Sequence, residues 1–269
     1  MNTLRLERDG HVGRLVLDRP DKLNSFTGEM WDELRTLGQE LLADPGDLRA
    51  LIVTGEGRAF SSGIDTSVFI TGAGLTVPDA GARDANPVID MVMRTQESYS
   101  WLEEAPFATI AAVRGYALGA GLQIALACDI RIFARGTSAG LLELKYGIMP
   151  DLGGTQRLPR LVGPGKAKEL IFTSARIDAD EAYRIGLCEQ LVSDEELEET
   201  ASKLAETIAA QPPLAITGAK RAVNAALDER IADGLRIEAS GQAVCLPSDD
   251  MKEAIAAFVE QRPANYQNR

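Results

Sequence analysis

Histidine is almost missing from this chain, and with it the side chain that most often moves protons or binds metals near neutral pH: His11 stands alone among 269 residues. A Ser-His-Asp triad would have to recruit His11, which lies near the start of a strand pattern and is expected to be structural or exposed. A His-rich metal site has too few ligands, so general acid–base work falls to Asp, Glu, Lys or Tyr. Cysteine is scarce as well. Cys128, Cys188 and Cys245 are widely spaced, odd in number and set among apolar residues, which excludes a disulfide framework or zinc knuckle and predicts reduced, buried thiols. No apolar run approaches a membrane span and residues 1–6 lack a signal-peptide core, so the expectation is a soluble, cytoplasmic protein with no membrane partner. Basic charge is in deficit, 28 Lys and Arg against 40 Asp and Glu, and the net charge of −12 speaks against nucleic acid as a partner. An anionic ligand would need local basic residues and backbone N–H groups.

What is present is an alternation of apolar runs. Residues 4–7 and 12–18 flank Asp9-Gly10 and read as an opening hairpin. Met30, Trp31, Leu34, Leu37, Leu41 and Leu42 recur at helical spacing up to Asp44-Pro45-Gly46, and residues 50–55 then read as a buried strand. Strand 109–113, a helix through 122–127, strand 129–134 and a short strand near 141–144 repeat the pattern. A layered α/β architecture with largely parallel strands follows. Residues 71–90 are rich in Gly, Pro and small residues and read as a loop or lid. After Asp178-Ala179-Asp180-Glu181, a capping-box pattern, helices are expected over 195–210, 213–227, 231–244 and 248–260. The division that results is a core of residues 1–195 carrying the site and a helical region of residues 196–269.

The stretch richest in chemistry is Gly115-Tyr116-Ala117-Leu118-Gly119-Ala120-Gly121-Leu122-Gln123, small residues running into an apolar helix start whose N–H groups are free to bind developing negative charge. Phe60-Ser61-Ser62-Gly63-Ile64-Asp65 has a similar character, and Glu143 follows in a strand-like context. Gly119-Ala120-Gly121 is no dinucleotide fingerprint, since Ile124 occupies the third glycine position, and Gly163-Pro164-Gly165-Lys166 lacks the Walker pattern. Ser61 and Ser62 have no histidine to activate them and read as turn or cap residues. Glu143 and Asp151, eight residues apart around Gly147-Ile148-Met149-Pro150, are placed to reach one cleft.

Together these segments resemble the crotonase, or enoyl-CoA hydratase/isomerase, superfamily. The likeness runs through Arg19-Pro20, Asn24, Ala59 to Asp65, Ala111 to Asp129, Pro150 to Pro159, and Phe258 to Tyr266, and is weakest over residues 70–100. It implies a spiral of ββα units, a helical C-terminal trimerisation region giving a homotrimer or dimer of trimers, and an acyl-CoA substrate handled with no metal or separate cofactor. The N–H groups of Ile64 and Ala120 would form an oxyanion hole, Ala replacing the commoner Gly at 120 without loss of the donor. The first of the family's two hydratase glutamates falls on Gln123, whereas the second is retained as Glu143. An amide does not take up a proton as a carboxylate does, so the hydratase pair is broken.

Double-bond migration needs one base, and the resemblance implies an enoyl-CoA isomerase in which Glu143 shuttles the proton, Gln123 orients and Asp151 assists. The spacing of Glu143 and Asp151 is similar to that of dienoyl-CoA isomerases, which carry an acid where Gln123 stands here. Two alternatives stay open: a hydratase tolerating Gln123, and a catalytically weak acyl-CoA binder. The resemblance also implies that CoA lies along Lys22, Leu23 and the loop of Phe60, Ser62, Gly63 and Asp65, with Leu118 alongside and Lys22 and Arg58 as the basic candidates for its phosphates. Pro263 stands where a C-terminal lysine often contributes.

Overall fold

The computed structural model describes residues 1–68 and 86–269. Strands β1 (Leu4–Asp9) and β2 (Val12–Leu17) pair antiparallel, with Gly10 at φ +54°, as Asp9-Gly10 predicts. Helix α1 (Gly28–Ala43) starts at Thr27, whose hydroxyl accepts the Met30 N–H, and leads into β3 (Ala50–Gly55). Helix α2 (Pro87–Glu104) begins inside the stretch expected to be loop up to residue 90. Pro87 occupies the first turn, where no N–H is needed, and Asn86 caps it by accepting from the Val88 N–H. Residues 71–85 of the expected lid lie outside the described residues.

Two ββα turns follow. Strand β4 (Ala108–Val113) passes to β5 (Tyr116–Leu118) and helix α3 (Ala120–Ala127); β6 (Ile130–Ala134) passes to β7 (Ser138–Gly140) and a 3-10 turn, Glu143–Tyr146. The strand expected near residues 141–144 is therefore corrected. Leu141 and Leu142 are buried like strand residues, but the chain curls at Glu143, and Gly147 at φ +73° returns its N–H to the carbonyls of Glu143 and Leu144. Helices α4 (Gly154–Val162) and α5 (Pro164–Thr173), strand β8 (Ile177–Asp178), helix α6 (Ala179–Arg184) and strand β9 (Gln190–Val192) complete this part. Asp178 caps α6 through the Glu181 N–H at 2.8 Å, as the capping-box pattern predicts.

One sheet has the order β1-β2-β3-β4-β6-β9, parallel after its first pair; the second has the order β5-β7-β8, with β5 parallel to β7 and β7 antiparallel to β8. Each turn lays one strand in each sheet before its helix, and the Ser61–Ala117 bridge extends the second sheet by the same rule. This is the spiral of ββα turns that the resemblance implies.

Strand periodicity divides the first sheet into two faces. Ala50, Ile52, Ile110, Ala112, Ile132 and Ala134 meet Leu197, Ala201, Ala205 and Ala209 on helix α7 (Leu197–Ala209), whose buried positions recur every four residues. The opposite residues, Leu51, Val53, Ala111, Val113 and Phe133, enter the main core with Met30, Leu34, Leu37, Phe60 and Leu122. Helices α8 (Pro213–Ala225), α9 (Ile231–Cys245) and α10 (Asp249–Glu260) lie close to the expected bounds. Lys220 on α8 donates to the Leu102 and Phe107 carbonyls and pairs with Asp129 at 2.8 Å, clasping this helix to the core. Cys128 and Cys188 are buried, whereas Cys245, expected to be buried, is half-buried on α9, whose main packing partner among the described residues is α8. Among the described residues no helix is long and apolar enough to cross a membrane.

Candidate active site

The loop Ser61–Asp65 and the start of α3 are stitched together by backbone pairing: the Ser61 N–H donates to the Tyr116 carbonyl at 2.7 Å, and the Leu118 N–H returns to the Ser61 carbonyl at 3.1 Å. That brings Gly63 against Gly119-Ala120. A Cβ on Gly63, at φ +102°, would stand 2.8 Å from the Leu118 carbonyl oxygen and 3.9 Å from the Ala120 nitrogen. Neither the Ile64 nor the Ala120 N–H donates a hydrogen bond among the described residues. Ala120 opens α3 and so has no acceptor within its helix. Two neighbouring unpartnered donors can stabilise an oxyanion.

Glu143 faces these donors: a Cβ on Gly119 would lie 3.3 Å from its Oε1, so glycine leaves the carboxylate room. The side chain is 4% exposed. Oε1 accepts from Gln123 Nε2 at 2.8 Å, while Oε2 is buried with no hydrogen-bond partner among the described residues. Burial pushes the carboxyl up to about 7, with the charge of Asp151 adding to the rise and hydrogen bonds from its own backbone and Gln123 opposing it. A carboxyl in that range exchanges protons readily at neutral pH.

Gln123, 1% exposed on α3, has its amide orientation fixed by its partners. Oε1 accepts the N–H groups of Leu152 and Gly154 at 2.9 and 2.8 Å, which leaves Nε2 to donate to Glu143. The loop supplying those donors is braced by α2: Gln96 Nε2 donates to the Asp151 carbonyl at 2.7 Å, and Arg157 bonds the Leu152 carbonyl at 3.0 Å while pairing with Glu103 at 2.6 Å. Asp151 is half-buried, and burial raises its pKa.

Sequence reasoning did not single out Tyr99, Gln96, Arg157 or the Leu152 and Gly154 N–H groups, and it read Trp31 only as part of a helix's apolar spacing. Tyr99 is fully buried on α2, accepts from Trp31 Nε1 at 3.2 Å, and is held well above its ordinary pKa by burial, with the charges of Asp151 and Glu143 contributing. Its apolar neighbour Phe26 lies edge-on at 5.6 Å. The one sequence signal for this group was Asn86-Pro87, a helix start that brings the whole of α2 to the site.

The residues expected along CoA divide in two. Lys22 and Arg58 are exposed and form no ion pair among the described residues. Ser62 donates its N–H to the Leu23 carbonyl at 2.9 Å, joining the two loops, with Leu23 in the left-handed region at φ 49°. The Phe60 ring is completely buried in the core, and Leu118 is 5% exposed, so both present little beyond backbone. Asp65 is occupied within the chain: Arg19 pairs with it at 3.0 Å, and the Ser67 hydroxyl donates at 2.7 Å. Asn24 is fully buried, accepting the Arg19 N–H and donating to the Glu56 and Ala59 carbonyls. His11 is exposed, as expected. Among the described residues no group of three or more His, Cys, Asp or Glu is arranged around a metal-sized position.

The family model described as enoyl-CoA hydratase/isomerase matches residues 7–269. The crotonyl-CoA hydratase of Syntrophomonas wolfei is 36% identical over 262 residues, covering 97% of this chain and 96% of that protein. The crystal structure of an enoyl-CoA hydratase from Bacillus anthracis superposes with a TM-score of 0.88 at 34% identity, over 99% of this chain and all of the other. A protein of Thermobifida fusca solved in complex with acetoacetyl-CoA superposes with a TM-score of 0.83 at 38% identity, over 91% of this chain and 95% of its own. With paired free N–H groups beside a buried glutamate on a two-sheet ββα spiral, and a match across nearly the whole chain, this protein belongs to the enoyl-CoA hydratase/isomerase family.

Proposed function

We propose that this member is an enoyl-CoA isomerase acting on an acyl-CoA thioester, and the observation that carries the reading is the Gln123–Glu143 pair. One of its two polar side chains is an amide that does not titrate, and the other is a carboxylate with one buried oxygen that has no partner among the described residues. Glu143 Oε2 removes a proton from C2 of a 3-enoyl thioester, and the C–H electron pair delocalises through the thioester carbonyl and the C3–C4 double bond. The Ile64 and Ala120 N–H groups hold the resulting oxyanion. The protonated Glu143 then returns the proton to C4, the double bond forms between C2 and C3, and the carboxylate is regenerated. A donor of this kind is worth on the order of 10²–10³ in rate, because it bonds the enolate more strongly than the neutral thioester.

CoA lies on this reading along Lys22, Leu23 and the Ser62–Asp65 backbone, with Lys22 and Arg58 meeting its phosphates; the acetoacetyl-CoA complex of the Thermobifida fusca relative supports the ligand class. We also propose assembly through the C-terminal helices as a homotrimer or dimer of trimers. The exposed apolar residues Ile231, Leu235, Phe258 and Val259 support it, and a monomeric mass by light scattering would refute it. Hydration of 2-enoyl-CoA is the second reading. The name of the Syntrophomonas wolfei relative favours it, and Asp151, whose charge reaches Glu143, is the available second acid.

Incubation with 3-enoyl-, 3,5-dienoyl- and 2-enoyl-CoA in deuterated water, followed by NMR, separates the two. Migration with deuterium at the allylic carbons is the expected result. Rapid formation of 3-hydroxyacyl-CoA without migration would replace the isomerase reading by the hydratase one.

A further inference from the structure

Helix α2 braces the loop of residues 151–157 through side chains spaced along one side of it. Gln96 donates to the Asp151 carbonyl, and Arg157 donates to the Ser100 hydroxyl at 3.2 Å and pairs with Glu103. Tyr99 lies among them and bonds to nothing on that loop. Its oxygen accepts from Trp31 Nε1, and an indole nitrogen only donates, so the phenolic proton is not spent there; no acceptor takes it among the described residues. The side chain is nonetheless fully buried, where an unmade hydrogen bond costs stability. The ring is packed in place. Phe26 lies edge-on to it and stacks with Trp31 at 6.0 Å, and the Phe26 backbone pairs with Gly63 and Asp65 on the loop that carries the Ile64 N–H. Close to this donor without an acceptor is an acid without a donor: the half-buried Asp151 carboxylate meets only its own backbone N–H among the described residues. Of the charges that act on Tyr99, that of Asp151 is the largest, ahead of Glu143 and Arg157.

We propose that Tyr99 is a positioning residue for Asp151: its hydroxyl donates to the Asp151 carboxylate when that side chain turns inward about its own χ1, and so sets a second acid against the far end of the reacting acyl segment. Gln96, three positions before Tyr99 on the same helix, holds the Asp151 backbone, so the side chain alone has to move. The proposal rests on the reading of Asp151 as an assisting acid in double-bond migration. Burial and the neighbouring negative charges keep the phenol protonated, so it donates a hydrogen bond and does not transfer the proton. A hydrogen bond to a carboxylate is stronger than one to the neutral acid, and this one tightens as Asp151 gives up its proton. The effect falls on the longer shift. With a 3-enoyl thioester Glu143 alone removes the proton from C2 and returns it to C4. With a 3,5-dienoyl thioester Glu143 removes the C2 proton, the electron pair runs through both double bonds, and Asp151 delivers its own proton to C6, leaving double bonds at C2–C3 and C4–C5. Proton transfer from Glu143 to Asp151 resets the site. Tyr99 acts on the second reaction and not on the first, which makes it a residue that selects substrate by the length of the conjugated segment.

The test is a double-mutant cycle. Tyr99→Phe, which keeps the ring and removes only the hydroxyl, is made in the wild-type and Asp151→Asn backgrounds and assayed on 3,5-dienoyl- and 3-enoyl-CoA, with acyl-CoA binding by calorimetry as the check on folding. Tyr99→Phe is expected to lower the ratio of dienoyl to enoyl turnover about tenfold, the scale of one hydrogen bond to a charged group, and to lower it no further once Asp151 is an amide. Carboxyl-carbon NMR titration reads the bond independently of turnover, with the Asp151 signal assigned by its loss in Asp151→Asn. The other charged groups that act on Tyr99 among the described residues are Glu143 and Arg157. Because the donor favours the ionised form, the Asp151 midpoint is expected to move up in Tyr99→Phe. Fluorotyrosine at position 99, a stronger donor of nearly the same shape, is expected to move it down, and stands in for Tyr99→Phe if that variant fails to bind acyl-CoA. An equal loss in both backgrounds, an unchanged ratio or an unmoved midpoint would overturn the proposal and leave Tyr99 as packing alone. Rapid hydration of 2-enoyl-CoA with no migration by the wild type would instead overturn the isomerase reading, leaving the titration to decide the bond.

Discussion

Asp65 and Glu143 are carboxylates flanking the same pair of backbone N–H groups, and their surroundings pull them in opposite directions. Hydrogen bonds from the Ser67 hydroxyl and N–H, and then from the Arg19 guanidinium with its charge, hold Asp65 well below the usual carboxylate range, and the Ser25 hydroxyl donates to it as well. Glu143 is the more deeply buried and has Gln123 as its one side-chain donor, so burial outweighs that bond and those from its own backbone, and its carboxyl rises to about 7. A fully partnered acid is spent on structure: Asp65 ties the Ser61–Asp65 loop to the Arg19–Phe26 segment and fixes where the Ile64 N–H points. An acid left with a bare oxygen keeps its capacity for chemistry. The difference lies in burial and in the donors each acid meets rather than in the side chain.

The contrast breaks most sharply at Glu143→Gln. Turnover of 3-enoyl-CoA should fall about 10²–10⁴-fold while acyl-CoA affinity measured by calorimetry is retained. Residual turnover unchanged by the substitution would leave the weak acyl-CoA binder as the better account. Removing the partnered acid should do the reverse. Asp65→Ala leaves the Arg19 guanidinium without its counter-charge and should cost about 2–4 kcal/mol in urea unfolding, with a smaller effect on turnover per folded molecule. The contribution of Asp65 is present at neutral pH and is lost as pH falls below its ordinary value of 3.8, because its folded pKa is depressed.

For Glu143 the linkage has the other sign. Its native pKa of about 7 lies above the ordinary 4.5, so the folded protein holds the proton more tightly, and stability drains away as pH rises across that interval. Glu143→Gln should therefore be more stable than wild type by on the order of 1–3 kcal/mol at about pH 8, with the gain shrinking toward about pH 5 in paired denaturation curves. The smallest effect sharpens the role of Asp151. As a base, Glu143 must be ionised, so kcat/KM should rise with pH around a midpoint of about 7, and Asp151→Asn should lower that midpoint by removing a like charge. A midpoint unmoved by Asp151→Asn would separate the two acids electrostatically.

The hairpin at Asp9-Gly10, the Asp178 cap and the closing helices were legible because each rests on contacts within a few residues: a left-handed glycine, a side chain reaching the N–H three positions on, an apolar period of 3.6. Glu143 was legible as a candidate but not in its setting. Leu141-Leu142 have the burial of a strand, and only the return of the Gly147 N–H makes the turn that presents the carboxylate. The start of α2 was hidden for a similar reason, since Pro87 reads as a breaker until it is seen in a first turn.

Gln123 marks the boundary most clearly. Its identity, an amide, is written in the chain and determines that it takes up no proton. The apolar periods likewise determine a layered α/β architecture, since each strand and helix buries what its own period places on one face. What the tertiary structure alone decided is which oxygen meets which donor. The acceptors and donors of Gln123 come from Glu143, Leu152 and Gly154, some 20 to 31 residues along the chain, and Asp65 joins donors from Ser67, two residues on, to donors from Arg19 and Ser25, 46 and 40 residues before it. Hydrogen bonding depends on fractions of an ångström and on burial, which set the effective dielectric around each charge. Two carboxylates alike in sequence thus became a structural tie and a base only once the chain was folded around them.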